Sequence, residues 1–410
     1  MHVVLTCNFS PWSPYSGGGQ RSTHSIAVHL ARRGHRVDVV YTRPPWEIVN
    51  APRGLPYRVT WAALPARHSA AGLWLRNVSA LSVRRAVSRL LGPDTVVHAN
   101  GEEGAALCRL RQRHPFPLVL TPRYPRYPER QLSAPAGRGP TLAHLVLQDK
   151  YAALAWVLRD ADRVFPTSRS SAEEIARRFA LSPERMTVVP NGVAPAFFAA
   201  APARREERAI LFLGRLEHSK GVLTLIDALC QLPSDVTCTF VGRGAAETEL
   251  RRRSQASNLA ARVELVPWST QEELAERLAR AAVVCLPSLE ESFGNAVAEA
   301  MACGAPVVST LSGSVPELIR HRETGYLVPP SDAWALTREL DWVLGHPEEA
   351  RRAGEAARRE VTKRYRWEGV VSQYEPWYER LLRGDTPRSG PPANDAVAEA
   401  PPLVGQGVMS

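Results

Sequence analysis

The sequence predicts an α/β protein built from two doubly wound domains, and three observations support that fold class. Short runs of β-branched residues alternate with amphipathic stretches of about 10–15 residues, which is the pattern of strand, crossover helix and parallel strand. The same rhythm restarts after the Ala/Pro/Arg-rich stretch 199–208. The chain has 410 residues, enough for two or three cores at about 100–200 residues per domain. Two domains joined near residue 200 are therefore the economical architecture.

Each predicted strand is a short run rich in Val, Ile, Leu, Thr or aromatic residues, bounded by polar residues, Gly or Pro. In the first half these runs predict strands over 2–7, 36–41, 57–62, 95–99, 118–121, 163–166 and 187–189. In the second half they predict strands over 209–213, 237–241, 263–266, 282–286 and 306–309. Helical stretches lie between most of them, so consecutive strands are expected to run parallel.

The strand sets suggest the domain boundaries. We expect an N-terminal domain over 1–195, a C-terminal domain over 208–365 and a terminal segment over 366–383. After that the composition reduces to Gly, Pro, Ala, Ser and Asp without periodicity, which predicts a disordered tail over 384–410. Open parallel sheets bind ligands beyond the carboxyl ends of their strands, so two such domains facing each other would form a cleft for two ligands.

Several classes of protein are disfavoured by composition. The most apolar run, 145–158, is interrupted by Gln148, Asp149 and Lys150, so it falls short of the roughly 18–20 residues of a membrane span. The N-terminus shows no secretory signal pattern, and we expect a cytoplasmic protein. Six scattered cysteines without a CxxC pair disfavour both a disulfide framework and a zinc site, and they indicate buried reduced thiols.

Positive charge is concentrated in the first half of the chain. Residues 1–200 hold 26 Lys and Arg against 12 Asp and Glu, whereas the remainder holds 25 against 29. This asymmetry suggests an anionic partner such as a phosphorylated acceptor, a membrane surface or nucleic acid, although Arg enrichment from a GC-rich genome explains it equally well. No recognition motif accompanies the charge, which disfavours nucleic acid.

The stretch 121–140 alternates Arg, Tyr and Pro and would suit a lipid head group or a phosphorylated acceptor; an ordinary mobile loop is the alternative.

The most specific stretch is 287–309, which follows a predicted strand. Its loop delivers Glu291, Gly294 lets a ligand approach the backbone, and a helix N-terminus near Asn295 offers free N–H groups to an anion. Glu291 and Glu299 are eight residues apart, a rise of about 12 Å on a helix, which exceeds the roughly 5–9.5 Å between paired hydrolase carboxylates. Two spaced acceptors suit two hydroxyl-bearing parts of one extended ligand, such as a sugar ring and a ribose.

A second stretch, 213–221, places two cations beside a glycine turn after the first strand of the second half. Arg215 can bind phosphate oxygens through a planar fork and Lys220 supplies a compact charge, so together they can neutralise a departing diphosphate. The spacing is not that of a Walker loop. A solvated helix start is the alternative interpretation.

A glycine loop follows the first predicted strand of the chain. Gly17 and Gly18 lie before a helical stretch, where phosphate could contact backbone amides. The fingerprint GxGxxG is missing, and Gly242-Arg243-Gly244 supplies only a fragment of it, so binding of NAD is not expected.

Taken together, these segments resemble the retaining glycosyltransferases of family 4, over about residues 1–383. That family has two facing Rossmann-like domains, the GT-B fold, in which a Glu-x7-Glu element closes on a nucleotide sugar. Glu291 and Glu299 match this element. The resemblance implies that Glu291 contacts the donor sugar and Glu299 the ribose hydroxyls, with Arg215 and Lys220 at the diphosphate.

The resemblance also implies an acceptor-binding N-terminal domain, a donor-binding C-terminal domain, and a terminal helix over 366–383 that packs back on the first domain. The other residues expected at the donor are Gly17, Gly18, Gly242, Trp268, Ser288, Phe293, Gly294 and Asn295.

One departure from the family pattern concerns the segment after the strand 95–99. Family members often carry His-x-His there, whereas this chain has His98 and then Asn100 at the second position. Asn can hydrogen-bond a sugar hydroxyl but cannot take a proton. Either no base is needed, or His98 or Glu102 substitutes, or activity is reduced; a buried core role for His98 is the alternative.

No metal or other cofactor is expected. Asp160-Ala161-Asp162 spells the Asp-x-Asp that binds metal in a different glycosyltransferase fold, but here it precedes a strand among alternating βα units, and we interpret it as coincidence. Cationic side chains and a helix dipole can replace a metal at the diphosphate. We therefore predict a metal-independent enzyme with a UDP- or GDP-type sugar as co-substrate.

The predicted function is a cytoplasmic, retaining transfer of a sugar to an acceptor hydroxyl in bacterial surface polysaccharide or glycolipid assembly. The basic N-terminal domain favours a sugar or lipid-linked sugar acceptor and peripheral contact with the inner face of the cytoplasmic membrane. Three alternatives stay open: a natural-product transferase with a soluble acceptor, a nucleotide-sugar epimerase on the same fold, and a non-catalytic binder.

Overall fold

Two six-stranded parallel sheets form the scaffold of the chain. The computed structural model describes residues 1–14, 16–64, 70–123, 142–200 and 205–385. The strands of the first sheet are β1 (His2–Asn8), β2 (Arg36–Arg43), β3 (Arg58–Ala63), β4 (Thr95–Ala99), β5 (Leu118–Leu120) and β6 (Arg163–Val164). Their order is β3-β2-β1-β4-β5-β6, and each adjacent pair is parallel.

The second sheet repeats this topology. Its strands are β7 (Ala209–Leu213), β8 (Thr237–Val241), β9 (Val263–Val266), β10 (Val283–Leu286), β11 (Val307–Thr310) and β12 (Tyr326–Val328). The order β12-β11-β10-β7-β8-β9 places the first strand of the sheet between the second and the fourth, as in the first sheet. Strand order reverses at β1/β4 and at β7/β10, and open α/β sheets bind ligands beyond the carboxyl ends of the strands at such switch points.

Helices connect the strands and cover the sheets. Within the described ranges they are α1 (Gly18–Arg32), α2 (Ala70–Ser88), α3 (Ala105–Arg111), α4 (Leu142–Asp160), α5 (Arg169–Phe179), α6 (Pro195–Ala199), α7 (Val222–Leu229), α8 (Glu247–Ala256), α9 (Gln271–Arg280), α10 (Asn295–Ala302), α11 (Val315–Leu318), α12 (Ala333–Gly345), α13 (Pro347–Arg364), α14 (Trp367–Val371) and α15 (Glu375–Leu382). Short 3-10 turns lie at Glu102–Gly104, Pro183–Arg185 and His218–Lys220.

The end of the chain returns to the first sheet, as predicted. Trp367, Tyr374 and Tyr378 are buried in the same apolar cluster as Val3 and Leu5 of β1. The second sheet has its own continuous apolar core. The predicted fold class, two doubly wound domains with a C-terminal segment packed on the first, is therefore confirmed.

Two predicted elements differ from the structure, and one strand of the structure was not predicted. Residues 187–189 do not form a strand. The Thr187 N–H donates to Val164 O at 3.0 Å and the Val189 N–H donates to Pro166 O at 2.9 Å, but the pairing amounts to one isolated parallel β-bridge, between Val164 and Met186. Pro166 has no N–H, so the ladder cannot continue past it. The segment 366–383 is two helices because Pro376 lies in the first turn of α15, where it cannot donate to the preceding turn. Strand β12, only three residues long, was not predicted.

Part of the sequence lies outside the described residues. This applies to most of the Arg/Tyr stretch, from 124 to 140, and to the tail from 386 onward. Among the described residues, no helix is long and apolar enough to cross a membrane.

Candidate active site

The carboxyl edge of the second sheet brings together the cationic turn after β7 and the loop after β10. The Lys220 ammonium lies 2.5 Å from Glu291 Oε1, and the Ser288 hydroxyl donates to the same oxygen at 2.9 Å. The Lys220 and Glu291 side chains are about one fifth exposed, at 21% and 17%. Two segments separated by 71 residues in sequence thus form one partly desolvated ion pair at the sheet edge.

Gly221 allows the two segments to approach. Its φ is +68°, and a Cβ at this position would lie 1.9 Å from the carbonyl oxygen of Pro287. The Leu289 N–H donates to Ser219 O at 2.8 Å and joins the same two segments. The glycine turn therefore fixes the position of Lys220 relative to the Glu291 loop.

The second predicted cation is more exposed. The Arg215 guanidinium pairs with Glu217 at 2.8 Å, and its side chain is 49% exposed. Gly242 follows β8 and packs so closely that a Cβ would lie 1.9 Å from Gly214 O. Trp268 lies beside Gly242, is 40% exposed, and has the Arg21 guanidinium of the first domain 5.6 Å from its ring centroid. These residues line the same edge of the second sheet.

The Glu-x7-Glu element divides between loop and helix. Glu291 lies in the loop, Gly294 has φ +86° at the N-cap, and α10 begins at Asn295. Glu299 is half-buried on α10, and among the described residues no side-chain or backbone donor hydrogen-bonds its carboxylate. Burial raises the pKa of Glu299 to about 7, while the charge of Arg21 acts in the opposite direction. A desolvated carboxylate of this kind favours a ligand that donates hydrogen bonds.

Phe293 is not part of the cleft surface. It was predicted near the donor, but its ring is only 5% exposed and packs edge-on against Tyr365 at 5.5 Å within the core of the second domain. A phenyl ring is stabilised by such burial, so Phe293 anchors the loop to the core beneath it.

The glycine loop of the first domain meets α10. Gly17 is the N-cap of α1, and its N–H donates to Gln20 Oε1 at 3.0 Å. A Cβ on Gly18 would lie 2.4 Å from Asn295 Nδ2. The N-termini of α1 and α10 therefore face each other across the domain boundary, and no side chain fits at Gly18 without displacing Asn295.

Asn100, which occupies the position of the family histidine, is fully engaged by the protein. Its amide nitrogen donates to Thr6 O (3.2 Å) and His98 O (3.3 Å). Its amide oxygen accepts from Arg123 Nη2 at 2.6 Å. Both amide hydrogens therefore have protein acceptors, and the side chain holds Arg123 in place.

Arg123 extends this arrangement to the second domain. Its Nη1 donates to Asn191 Oδ1 at 2.9 Å, and Asn191 Nδ2 donates to Asn295 Oδ1 at 3.0 Å. We call the series Asn100, Arg123, Asn191 and Asn295 the cross-domain relay. It connects the carboxyl end of β4 to the first residue of α10.

His98 lies in the core. It is 0% exposed, with Nδ1 2.6 Å from the Tyr378 hydroxyl and Nε2 2.7 Å from the Thr121 hydroxyl. Burial, reinforced by the charge of Arg123, lowers the pKa of His98 to about 3. Both ring nitrogens are engaged and the ring is neutral at physiological pH, so the geometry favours the core interpretation over a catalytic one.

Two carboxyl groups lie beside Asn100. Glu103 is buried and its Oε1 accepts from the Asn100 N–H (2.8 Å) and the Thr6 hydroxyl (3.2 Å). Burial, with a smaller contribution from Glu102, raises the pKa of Glu103 to about 8. Glu102 is half-buried, and Asn8 Nδ2 donates to its Oε1 at 3.5 Å.

The Asp-x-Asp segment is part of a structural ion pair. Asp162 pairs with Arg111 and accepts the Leu118 N–H at 2.9 Å, and Asp160 lies 3.9 Å from the same guanidinium. Within the described ranges, no group of three His, Cys, Asp or Glu side chains could hold a metal ion.

Sequence reasoning missed Arg123, Asn191 and Glu103. Asn191 lies shortly after the predicted strand 187–189. Arg123 and Glu103 each follow a predicted strand at its carboxyl end, and that placement was the available signal.

Comparisons with known proteins place both halves of the chain. The family model described as Glycosyltransferase Family 4 matches residues 16–197, and the model described as Glycosyl transferases group 1 matches residues 194–360. An MMP alpha-(1->4)-mannosyltransferase of Mycolicibacterium hassiacum is 31% identical over 318 residues, which are 74% of this chain and 74% of that protein.

Solved structures share the architecture. Sucrose-phosphate synthase from Thermosynechococcus elongatus superposes with a TM-score of 0.77 at 24% identity, over 93% of this chain and 99% of the other. Anabaena HepE, solved in complex with UDP, superposes with a TM-score of 0.71 at 19% identity, over 93% and 100% of the two chains. At these identities the likeness bears on the fold alone.

Proposed function

The chain belongs to the group 1 glycosyltransferases, family 4, and from that premise we propose that it is a retaining enzyme that uses a UDP- or GDP-type sugar donor. It has the GT-B fold of two Rossmann-like domains and is an enzyme that transfers glycosyl groups from a nucleotide sugar. The observation that carries the finer proposal is the site at the carboxyl edge of the second sheet. There Lys220 and Glu291 lie beside the N-terminus of α10, on which Glu299 projects.

The diphosphate would bind between Lys220, Arg215 and the N-terminus of α10. Lys220 is now neutralised by Glu291, so an incoming phosphate competes for the ammonium and releases the carboxylate toward a sugar hydroxyl. Arg215 is exposed enough to turn from Glu217 to a phosphate oxygen. Fixed cations stabilise the charge that develops on a departing diphosphate, which lowers the barrier to cleavage of the glycosidic bond.

Glu299 would bind the ribose. A carboxylate accepts hydrogen bonds from both ribose hydroxyls only when it is ionised, and burial already raises its pKa to about 7 in the free protein. Hydrogen bonds from the ribose would stabilise the charged form and lower that pKa. We therefore propose that donor binding is weaker below pH 7 and is accompanied by release of a proton from Glu299.

Retention would follow from attack on the same face as the leaving group. The donor's glycosidic bond breaks, the diphosphate leaves with the electron pair, and one of its oxygens accepts the proton of the attacking acceptor hydroxyl. Two observations near Asn100 support this route: His98 is buried with both nitrogens engaged, and burial keeps Glu103 neutral at pH 7. Glu102, half-buried beside them, is the alternative base. No cofactor or metal is part of the proposal.

The acceptor is proposed to be anionic or lipid-linked, as in bacterial surface polysaccharide or glycolipid assembly. The excess of Arg in residues 1–200 supports an anionic partner. Trp46 and Ile48, in the loop after β2, are 68% and 89% exposed, and they follow the carboxyl edge that faces the cleft. Aromatic and aliphatic side chains beside cations suit the interface of an anionic membrane. We include peripheral contact with the inner membrane face in the proposal.

Donor binding can be tested by isothermal titration of UDP, GDP, ADP and dTDP and their sugars, with and without EDTA. We expect saturable binding of one nucleotide class, unchanged by EDTA and weakened by Glu299→Ala. Glu290→Ala, which removes an exposed glutamate from the loop before α10, is the matched control. Binding of none of these nucleotides would contradict the proposal.

NMR of the product anomer tests retention. Conversion of the nucleotide sugar without any acceptor would instead favour an epimerase.

Membrane contact can be tested by co-sedimentation with vesicles of phosphatidylglycerol and phosphatidylcholine or of phosphatidylcholine alone. We expect binding only to the anionic vesicles, with a loss in the variant Trp46→Ser/Ile48→Ser. Trp334→Ser is the control, because Trp334 is 60% exposed but lies on α12 of the other domain. Equal loss in both variants would contradict a role for the loop.

A further inference from the structure

The loop that carries Glu291 is held from the first domain through a single carbonyl. Ser292 O accepts hydrogen bonds from the hydroxyls of Ser168 (2.7 Å), Ser171 (3.0 Å) and Thr167 (3.2 Å). The three hydroxyls are buried at the start of α5, and they lie more than 120 residues away in sequence. One carbonyl with three donors from another domain is a directed contact, because each donor needs a defined orientation toward that oxygen.

A carboxylate of the second domain makes the reciprocal contact. Glu317, on α11, accepts the Arg169 N–H at 3.0 Å and the Ser170 N–H at 2.8 Å. These are backbone donors of the first turn of α5, which have no partner within their own helix. The negative charge also faces the positive end of the helix dipole, which strengthens the contact.

The same α11 segment holds the loop within its own domain. The Ser314 N–H donates to Glu291 O at 3.1 Å, and the Ser314 hydroxyl lies 3.4 Å from that oxygen. The consecutive carbonyls of Glu291 and Ser292 are therefore bound by α11 and by α5. Because Glu317 also joins α11 to α5, the three segments form a closed network.

We propose that Glu317 and the N-terminus of α5 are positioning elements that fix the backbone of Glu291 through the contact between the domains. With the carbonyls of Glu291 and of the following residue held, the orientation of the chain on the C-terminal side of Glu291, and with it the direction of the Glu291 side chain, is set jointly by the two domains. The network thus couples the arrangement of the acceptor domain to the sugar-contacting carboxylate. This inference rests on the proposed role of Glu291, but the network itself can be tested without any ligand.

The coupling separates two parts of donor binding. The Gly221 turn fixes the backbone of Lys220 and helix α10 fixes that of Glu299, both within the second domain, so the affinity for a nucleoside diphosphate should not depend on the network. The placement of Glu291 against the sugar should depend on the network. Disruption of the network is therefore expected to weaken binding of a nucleotide sugar relative to binding of its nucleotide.

The variants remove the contact from either side. Glu317→Gln eliminates the charge and one acceptor. Thr167→Val/Ser171→Ala removes two of the three hydroxyls from the other domain, far in sequence from the loop, and keeps Ser168 as the N-cap of α5. Glu173→Gln is the control, because Glu173 lies on α5 and is exposed, and it is not one of the residues bonded to Ser292 or Glu317. Circular dichroism and thermal melting establish that each variant is folded.

Hydrogen exchange of the free protein is the ligand-independent measurement. The Ser314 amide reports on the position of Glu291 O, and the Leu289 amide, bonded to Ser219 O, serves as a reference within the same loop. We expect faster exchange at Ser314 but not at Leu289 in both test variants, and no change in Glu173→Gln. Unchanged exchange at Ser314 in Thr167→Val/Ser171→Ala would overturn the proposal.

Titration with UDP and UDP-glucose is the second measurement. We expect the preference for UDP-glucose over UDP to fall about tenfold in Thr167→Val/Ser171→Ala, because two hydrogen bonds to the loop are lost. A smaller fall is expected in Glu317→Gln, which keeps one acceptor for α5. The affinity for UDP should stay within about twofold of wild type in both variants. An equal loss of affinity for both ligands would overturn the separation. If wild type binds neither ligand, the UDP donor proposal fails, while the exchange result still decides whether the network positions the loop.

Discussion

The substitution Gly221→Ala tests whether the glycine turn sets the geometry of the candidate site. Gly304→Ala is a close control: both glycines lie in the second domain and have nearly the same φ, +68° and +72°. A Cβ on Gly304 would have its nearest neighbour, Arg358 Cδ, at an ordinary 3.6 Å. A Cβ on Gly221 would lie 1.9 Å from Pro287 O. The pair therefore separates left-handed backbone strain from a steric clash.

The expected costs differ by about twofold. Left-handed strain alone destabilises an alanine by about 1–2 kcal/mol, which is the whole expected effect at Gly304. At Gly221 the turn or the Pro287 loop must also move by roughly 1.5 Å to reach contact distance. That movement breaks the Leu289 N–H bond to Ser219 O, worth about 1 kcal/mol, and separates Lys220 from Glu291 at a further cost of about 1 kcal/mol. The free energy of unfolding should fall by about 3–4 kcal/mol.

Thermal melting and titration of the nucleotide chosen by the binding panel provide the assay. At about 2–4 °C per kcal/mol, Tm should fall by about 4 °C in Gly304→Ala and by about 10 °C in Gly221→Ala. Nucleotide affinity should fall only in Gly221→Ala, because only there does Lys220 move. Equal losses of Tm, or an unchanged nucleotide affinity in Gly221→Ala, would refute the reasoning.

Three further outcomes are expected. Glu103→Gln keeps the acceptor oxygen for both donors and removes the ionisable group. Because burial raises the pKa of Glu103 to about 8 in the folded protein, ionisation of the wild-type carboxyl opposes folding as pH rises, and the stability of Glu103→Gln relative to wild type should grow by up to about 1.4 kcal/mol per pH unit between pH 5 and 8. A constant difference between the two melting curves across this range would contradict a buried neutral acid. Asn191→Ala removes two bonds of the cross-domain relay and should lower kcat/KM by about tenfold, with the exposed Asn50→Ala as a control that leaves it unchanged. Asp162→Ala should lower Tm by several degrees, because Asp162 pairs with Arg111. The transferase activity of wild type and of this variant should be the same with and without EDTA. If EDTA lowered the activity of wild type but not that of Asp162→Ala, Asp162 would instead belong to a metal site.

Much of the fold could be predicted from the sequence because strand identity depends on local pattern. The ranges 95–99, 209–213, 237–241 and 263–266 agree with β4, β7, β8 and β9 to the residue. Strands β4 and β7 are almost completely buried and consist mainly of apolar residues. Strands β8 and β9 are more exposed but are rich in the Val, Thr and aromatic residues that favour strands. The run 187–189 has the same composition but lies beside Pro166, whose missing N–H prevents pairing, and such a partner is invisible in the run itself.

The candidate site was only partly predictable. Lys220 and Glu291 were chosen by residue type and by position after a strand, and the structure brings them together. For Asn100 the sequence indicated only that its amide can hydrogen-bond a sugar hydroxyl but cannot take a proton. Its donors are in fact bound to carbonyls at the ends of β1 and β4, and its oxygen to Arg123. Which acceptors surround an amide depends on the neighbouring strands, and no local pattern records them.

The contacts between the domains converge on the N-terminus of α10. The cross-domain relay ends at Asn295, Gly18 of the first domain packs against the same residue, and the α5 hydroxyls bind the preceding carbonyl of Ser292. Arg21 approaches Trp268 and Glu299 from the first domain on another side. Cations and helix dipoles act more strongly where water is excluded, so the contacts at Asn295 and those of Arg21 strengthen the proposed diphosphate site as they join the domains. The contact at Ser292 instead holds the loop that carries Glu291. The electrostatic strength of the site is thus a property of the domain arrangement, and neither domain alone supplies it.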